Sequence, residues 1–119
     1  MDKPYAIGVD VGGTNTVAGI VDKRGQILIS GSIKTAKHAD VEDYLDELTE
    51  LIDELIGEIT TKDQIKGIGA GTPNGNYFTG SIEFAPNLRW KGVIPFAQLM
   101  EDRVGPPVAF TNEANAAAI

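Results

Sequence analysis

The fold is decided by a stretch near the start of the chain, YAIGVDVGGTNTVAGIVDKRGQILISGSIK, at residues 5–34. It holds three segments rich in Val, Ile and Thr, a composition that favours β-strands. The segments are Tyr5–Val11, residues 16–22 and residues 26–34. The joins at residues 12–15 and 23–25 contain glycine and are short enough for hairpins. The stretch therefore predicts an antiparallel meander of strands and not a strand-helix-strand unit.

The periodicity changes after the meander. From residue 40 the apolar residues recur every three or four positions, so we predict an amphipathic helix over residues 40–58 with Asp40 as its N-cap. Nine acidic residues and no Lys or Arg lie in this range, and we expect most of them to form a solvated outer face. The later elements are predicted as a buried strand at Ile65–Gly71, a short helix at residues 95–103, a strand at residues 108–111 and a helix beginning at Asn112.

The order of these elements is typical of an α/β fold. We predict a mixed five-stranded sheet in which a β-meander is followed by parallel strands, added through right-handed crossovers, with helices flanking the sheet. Residues 72–92 are rich in Gly, Asn and Pro and are too long for a simple connection. Because long ordered loops in compact domains are usually functional, we expect this segment to be a loop that contributes to function.

Composition limits the classes of function. A chain of 119 residues fits one domain with one modest core. Its net charge of −7 opposes binding to nucleic acid and to anionic lipid, and no apolar run approaches the ~18 residues of a membrane helix. The chain has no cysteine for a disulfide or a thiolate metal site, and its start lacks the apolar stretch of a signal peptide. We therefore expect a cytoplasmic protein without a nucleic-acid or membrane partner.

The candidate site lies at one edge of the predicted sheet. In mixed and parallel sheets, ligands bind at the carboxyl ends of the parallel strands. Three polar, glycine-rich or acidic connections meet there in the predicted fold, namely residues 10–15, residues 71–76, and Asn112 with Glu113. Their convergence is a stronger argument for a binding site than any one of these connections taken alone.

The turn Gly12-Gly13-Thr14 is the first candidate binding element at this edge. Its glycines let the backbone approach an anion closely, its amides and the Thr14 hydroxyl can donate to phosphate oxygens, and Asp10 beside it could hold Mg²⁺ through water. The alternative is that the glycines only form a tight hairpin. The turn is not a P-loop, because the Gly-Lys-Ser/Thr ending is missing, and not a Rossmann turn, because no helix follows it.

Trp90 and His38 are not assigned to the candidate site. We expect Trp90, together with Leu88, to pack its loop onto the domain and not to stack on a ligand. His38, the single histidine, has no partner at the spacing of metal ligands, and the sequence assigns it no role.

Four ordered motifs carry a resemblance to a known family. They are IGVDVGGTN at residues 7–15, GAGTPNG at 69–75, APNLRW at 85–90 and TNEANAAA at 111–118. With them the chain resembles the N-terminal lobe of a ROK-family (repressor, open reading frame, kinase) sugar kinase, with glucokinase as the nearest functional class. The resemblance covers nearly the whole chain, and it implies an actin-like ATPase (ribonuclease H-like) domain.

The resemblance also implies roles for single residues. The residues of the first phosphate loop would be Gly12, Gly13 and Thr14, with Asp10 as the acid near Mg²⁺ and the γ-phosphate. The residues of the sugar pocket would be Gly71, Thr72, Asn87, Asn112 and Glu113. Glu113 stands at the position of the catalytic base, where the family has Asp. Its side chain is one methylene longer, so the placement of its carboxylate determines whether the protein is catalytic.

The implied activity belongs to a longer polypeptide. The resemblance implies ATP-dependent phosphorylation of a hexose, glucose at its 6-hydroxyl in the first instance, by a homo-oligomer. A second lobe would carry the other phosphate loop, the adenosine pocket and a Cys/His zinc site. Residues 1–119 hold none of these, so we expect this chain to be inactive by itself and to use no metal beyond the Mg²⁺ that accompanies the nucleotide.

Two other classes of function remain open. A sugar-binding relative without catalysis would keep the sugar contacts while Glu113 fails as a base. A sugar-responsive regulator of the same family would carry a DNA-binding helix-turn-helix before the first strand, yet only four residues precede Tyr5 and the acidic charge opposes DNA. We therefore expect a kinase and not a regulator. A purely structural role would leave the convergent polar residues unexplained.

Overall fold

The computed structural model describes residues 3–76, 78–86 and 88–110. Its strands are β1 (Tyr5–Val11), β2 (Asn15–Val21), β3 (Ile27–Lys34), β4 (Ile65–Gly71), β5 (Gly75–Asn76), β6 (Ser81–Glu83), β7 (Val93–Ile94) and β8 (Val108–Phe110). Its helices are α1 (Val41–Ile59) and α2 (Phe96–Val104), with short 3₁₀ helices at Thr35–Lys37 and Lys62–Gln64.

The main sheet of the described residues has five strands in the order β3-β2-β1-β4-β8. Strand β1 pairs antiparallel with β2, and β2 pairs antiparallel with β3. On the other side β1 pairs parallel with β4, which pairs parallel with β8. The predicted mixed sheet, a meander followed by parallel strands, is therefore confirmed.

The element boundaries follow the sequence patterns closely. Strands β1 and β4 have the predicted bounds, and the predicted helix over residues 40–58 is observed as α1. The Asp40 side chain accepts a hydrogen bond from the Glu42 amide, as an N-cap does. The end of the strand predicted at residues 108–111 and the helix predicted from Asn112 lie outside the described residues.

The prediction that residues 72–92 form a loop is correct only in part, because two short strands, β5 and β6, lie within them. Strands β5, β6 and β7 pair antiparallel in a small second sheet, in the order β5-β6-β7. Each of these strands is only two or three residues long, which is too short for an alternating pattern to show in the sequence. The pairs are close in sequence, as in Asn76 with Ser81, but strands this short give no pattern that marks them.

The core lies between the main sheet and the helices. Helix α1 packs its apolar side on β2 and β3 and also contacts α2, and the side chains of Leu45, Leu48 and Ile52 are fully buried. The acidic residues of α1 are mostly exposed, as predicted, and the Arg103 guanidinium of α2 bonds two of them, Glu42 and Asp46. Neither described helix combines the length and the apolar composition needed to cross a membrane.

Candidate functional site

Strand register brings the candidate residues to one edge of the sheet. Asp10, near the end of β1, lies beside Gly71, the last residue of β4. Ala70 lies beside Phe110, the last residue of β8. The turn after β1 and the connection after β4 therefore start side by side at the carboxyl ends of parallel strands, where ligands bind in such sheets.

The turn after β1 is a tight hairpin. The register pairs Val11 with Thr16, and the Gly12 amide donates to the Asn15 carbonyl at 3.0 Å, so Gly13 and Thr14 form the loop. A Cβ at Gly12 would lie 2.8 Å from that same backbone oxygen, so only glycine fits there. The predicted hairpin is confirmed.

The hairpin still offers hydrogen-bond donors to an anion. Because the Gly12 amide is used by the hairpin, the candidate phosphate donors are the Gly13 and Thr14 amides and the Thr14 hydroxyl. Thr14 is exposed, and so is Asp10 two residues before the turn. The hairpin and phosphate-loop interpretations are therefore compatible with each other.

A cluster of buried hydroxyl groups lies at the base of this hairpin, where β2 begins. Thr16 Oγ1 lies 2.6 Å from Thr35 Oγ1 and 2.7 Å from the Tyr44 hydroxyl oxygen. Burial raises the pKa of Tyr44 well above its usual range, so the phenol stays protonated and able to donate. The cluster joins β2, the 3₁₀ helix after β3 and α1. Sequence reasoning missed it, because threonines and tyrosines so far apart give no signal of mutual contact.

The donor set near the turn fits Mg²⁺ that arrives with a nucleotide. Among the described residues, no group of three or more His, Asp or Glu side chains is arranged to hold a metal ion. Mg²⁺, however, is commonly held by one or two carboxylates together with substrate phosphates and water. The exposed carboxylate of Asp10 and the hydroxyl of Thr14 suit that mode of binding.

Thr72 adds an unsatisfied polar group to the same edge. Its hydroxyl oxygen is buried and has no hydrogen-bond partner among the residues that the structure describes. A Cβ built at Gly75 would lie 2.5 Å from this oxygen and 2.9 Å from Cδ2 of Phe110, so the threonine packs close to the end of β8. Leaving a buried hydroxyl unpaired costs about 1–3 kcal/mol, which makes Thr72 a candidate to bond a further group at this site.

The connection after β4 is held in shape by Asn74. Its side-chain amide donates to the carbonyls of Glu83 at 3.0 Å and Phe84 at 3.2 Å, and the Glu83 amide donates to the Asn74 carbonyl at 2.9 Å. Both Asn74 and Phe84 have φ of 53°, in the left-handed region. These bonds therefore hold left-handed backbone at residue 74 and at residue 84, which directly precedes the motif at residues 85–90.

Trp90 and His38 have structural roles. The Trp90 ring is buried with its centroid 4.4 Å from that of Tyr44, and its Nε1 donates to the His38 carbonyl at 3.2 Å, so the predicted packing role is confirmed. His38, which the sequence left without a role, has Nε2 only 2.6 Å from Oε1 of Glu47. This hydrogen bond is the main cause that lowers the pKa of the Glu47 carboxyl.

The remaining predicted site residues, Asn87, Asn112 and Glu113, lie outside the described residues. Among the predicted residues within them, the structure brings Asp10, Gly71 and the 12–14 turn together, with Thr72 directly after β4.

The sequence matches a model of a known protein family. The model described as ROK family matches residues 6–119. The chain belongs to the ROK family. This match confirms the resemblance that the four motifs indicate, and the predicted α/β fold is shared by ROK-family kinases of known structure.

The relatives of this ROK-family chain include kinases and repressors. It is 34% identical over 113 residues to a glucokinase of Streptomyces coelicolor, covering 94% of this chain and 33% of that protein. It is 32% identical over 115 residues to a putative xylose repressor of Caldicellulosiruptor sp., covering 95% of this chain and 29% of that protein. The chain therefore spans about a third of the length of the curated relatives that it matches.

Solved structures agree with this assignment. The ROK-family glucokinase of Streptomyces griseus, in complex with glucose and AMPPNP, superposes with a TM-score of 0.78 at 33% identity, covering 96% of this chain and 35% of that one. The ROK hexokinase of Thermus thermophilus superposes with a TM-score of 0.74 at 26% identity, covering 90% of this chain and 34% of that one.

Proposed function

We propose that the full-length protein is a sugar kinase that transfers the γ-phosphoryl group of ATP to a hexose, with the 6-hydroxyl of glucose as the first acceptor to test. The observation that carries this proposal is the pairing of Asp10 with Gly71, which puts the 12–14 turn beside the connection that contains Thr72. A phosphate-donor half and a sugar half of one site would then be neighbours. The glucose and AMPPNP in the Streptomyces griseus structure support this proposal.

The donor half would bind phosphate through the backbone. The Gly13 and Thr14 amides and the Thr14 hydroxyl would donate to phosphate oxygens, in a position that the hairpin fixes in advance. Asp10 would hold Mg²⁺ through water together with the phosphates, and this ion would neutralise charge on the transferred group. Catalysis of this kind depends mainly on positioning and electrostatics, which a rigid two-residue loop provides.

The acceptor half would orient the sugar and remove a proton from it. Asn87 and Asn112 supply a donor and an acceptor in one planar group, which suits sugar hydroxyls, and the Thr72 hydroxyl would add another contact. Glu113 would accept the proton of the sugar hydroxyl while that oxygen attacks the γ-phosphorus and ADP leaves. The carboxylate must lie within about 2.6–3.2 Å of the hydroxyl, and a misplacement of about 1 Å can cost roughly a hundredfold in rate.

We also propose that residues 1–119 form the N-terminal lobe of a two-lobed enzyme. The chain spans about a third of its curated relatives, so the adenosine pocket and further sugar contacts would come from a second lobe. The zinc site that the family resemblance implies would lie there as well. Residues 1–119 alone would bind ATP weakly and transfer no phosphate, because a shared site loses positioning when one lobe is absent. Assembly as a homo-oligomer in the cytoplasm belongs to the same proposal.

A sugar-binding protein without turnover is the second candidate. Two relatives are named as xylose repressors or putative xylose repressors, at 30% and 32% identity over 115 residues each. In such a protein the longer side chain of Glu113 would contact the sugar without serving as a base. Sugar binding would then persist in a protein that forms no ADP.

Variants of Glu113 in the full-length protein separate these candidates. ADP formation would be measured with glucose, mannose and xylose, and sugar binding by calorimetry. We expect Glu113→Gln to abolish turnover with sugar affinity retained, because it keeps the length and removes the base. We expect Glu113→Asp to raise kcat with little change in KM, because it restores the family's side-chain length.

Two outcomes would contradict the kinase proposal or part of it. If the parent protein binds sugar and forms no ADP with any of these acceptors, the second candidate holds. If Glu113→Gln phosphorylates glucose as fast as the parent does, the protein is a kinase and Glu113 is not its base.

A further inference from the structure

Residues 35–38, which directly follow β3, contact both the turn at residues 12–14 and the motif at residues 85–90. We call them the bridge segment. On one side, the Ala36 amide donates to the Thr14 carbonyl in the phosphate turn at 3.3 Å. On the other side, Nη1 of Arg89 donates to the Ala36 carbonyl at 3.3 Å. A single residue, Ala36, is therefore bonded both to the turn and to the motif at residues 85–90.

A second contact fixes the bridge segment to the same motif. Nε1 of Trp90 donates to the His38 carbonyl at 3.2 Å, while the Trp90 ring packs on Tyr44 in the buried core. Residues 89 and 90 thus bond two backbone carbonyls of the bridge segment. In the sequence these residues follow Asn87, a candidate sugar contact, by two and three positions.

The bridge segment is also tied to the elements below it. The Thr35 hydroxyl belongs to the buried cluster with Thr16 and Tyr44. Lys37 and His38 both bond the carboxylate of Glu47 on α1, at 3.2 Å and 2.6 Å. Because Ala36 bonds both Arg89 and Thr14, a shift of Arg89 would act on the Thr14 backbone through one intermediate residue.

We propose that the bridge segment couples the two half-sites, and that Arg89 is a positioning residue that links sugar binding to the geometry of the phosphate turn. This inference rests on the proposed function, because it assigns the turn to phosphate and residues 85–90 to sugar. Coupling of this kind is reciprocal: bound sugar raises the affinity for nucleotide, and bound nucleotide raises the affinity for sugar by the same factor.

Arg89 suits a test because its bond is accessible. Its side chain is exposed, and an exposed hydrogen bond contributes little to the free energy of unfolding, so its removal leaves the protein folded. Arg103 provides a matched control, because it too is an arginine that joins distant segments, bonding Glu42 and Asp46 on the outer face of α1.

The experiment measures the binding of Mg²⁺-AMPPNP to the full-length protein by calorimetry, with and without saturating glucose. In the parent we expect glucose to lower the Kd for AMPPNP by about fivefold or more, within the range typical of coupled sites. Arg89→Gln should reduce this factor to less than about twofold while glucose affinity without nucleotide is unchanged. Arg89→Lys should recover part of the factor, and Arg103→Gln should match the parent.

The outcomes distinguish this inference from the function on which it rests. If both ligands bind and the factor is close to one in the parent, or equal in the parent and Arg89→Gln, the coupling proposal is wrong and the kinase proposal is untouched. If both ligands bind with coupling but no phosphate is transferred, the coupling proposal stands without the kinase. If Arg89→Gln loses glucose affinity and thermal stability together, the bond is merely structural and the proposal fails.

Discussion

Two regions meet at the candidate edge, and they are held in shape by different means. The turn between β1 and β2 is a two-residue loop whose geometry follows from the register of the adjoining strands. Residues 72–92 are longer, contain the strands β5 and β6, and depend on side chains such as Asn74 and Trp90 for their shape. Strand pairing on both sides of a two-residue loop holds the first region, whereas the second combines short strand pairs with side-chain hydrogen bonds.

The difference predicts where each region is sensitive to substitution. In the turn, added volume must meet backbone atoms that cannot move without disturbing two strands. In residues 72–92, the loss of one side chain removes hydrogen bonds and releases an unfavourable backbone conformation. Substitutions should therefore act by steric conflict in the first region and by lost bonding in the second.

The largest effect is expected for Gly12→Ala. The new Cβ would lie 2.8 Å from the Asn15 backbone oxygen, so the hairpin must open. Overpacking of this kind costs about 1–3 kcal/mol in the free energy of unfolding, and we expect Mg²⁺-AMPPNP binding to be lost as well. Denaturant unfolding and calorimetry of the full-length protein would measure both.

Gly57→Ala is the control for that substitution. Gly57 lies in α1 with no atom within 4 Å of an added Cβ, so alanine should stabilise the helix by about 0.5–1 kcal/mol. If Gly12→Ala unfolds at the same denaturant concentration as the parent, the turn is not held rigidly by its strands and the comparison fails.

A smaller effect is expected at Asn74. Asn74→Ala removes the bonds to the Glu83 and Phe84 carbonyls and places a Cβ at φ of 53° without a compensating side chain. We expect a loss of about 1–2 kcal/mol in the free energy of unfolding and weaker sugar binding. Asn74→Gly loses the same bonds but tolerates this φ, so it should be more stable than Asn74→Ala by about 1 kcal/mol. Equal stability of the two variants would mean that backbone strain at this position is unimportant.

The smallest effect concerns pH and Glu47. The bond with His38 lowers the pKa of the Glu47 carboxyl from its usual value of 4.5. A carboxyl whose pKa is lowered by folding stabilises the protein above that usual value, and this contribution is lost as the pH falls through the lowered pKa. We expect the parent to have a higher Tm than Glu47→Gln at pH 7, and the difference to shrink below pH 4.5.

Glu50→Gln serves as the control for the pH experiment, because Glu50 is an exposed acid of the same helix. At pH 7 this substitution should lower Tm less than Glu47→Gln does. Equal losses of Tm for the two variants at pH 7 would show that the Glu47 carboxylate does not stabilise the bridge segment.

Much of the fold could be predicted because it depends on local pattern. Segments rich in Val, Ile and Thr with short glycine turns indicated the meander, and a helical period with an Asp40 cap indicated α1. The candidate edge followed from the order of elements, since the ends of parallel strands coincide whatever their side chains are. Asp10, Gly71 and the 12–14 turn are at that edge in the structure. Asn87, Asn112 and Glu113 stay predictions.

The sequence alone determined the fold class, the hairpin at Gly12 and the family motifs, because each of these is encoded within a few neighbouring residues or by a repeating period. Only the tertiary structure decided the small second sheet, the buried hydroxyl cluster of Thr16, Thr35 and Tyr44, and the bonds of Arg89 and Trp90 to the bridge segment. Arg89 and Ala36 are 53 positions apart, and either residue could bond many other groups. Such pairs form only after strand pairing and helix packing have brought distant segments together.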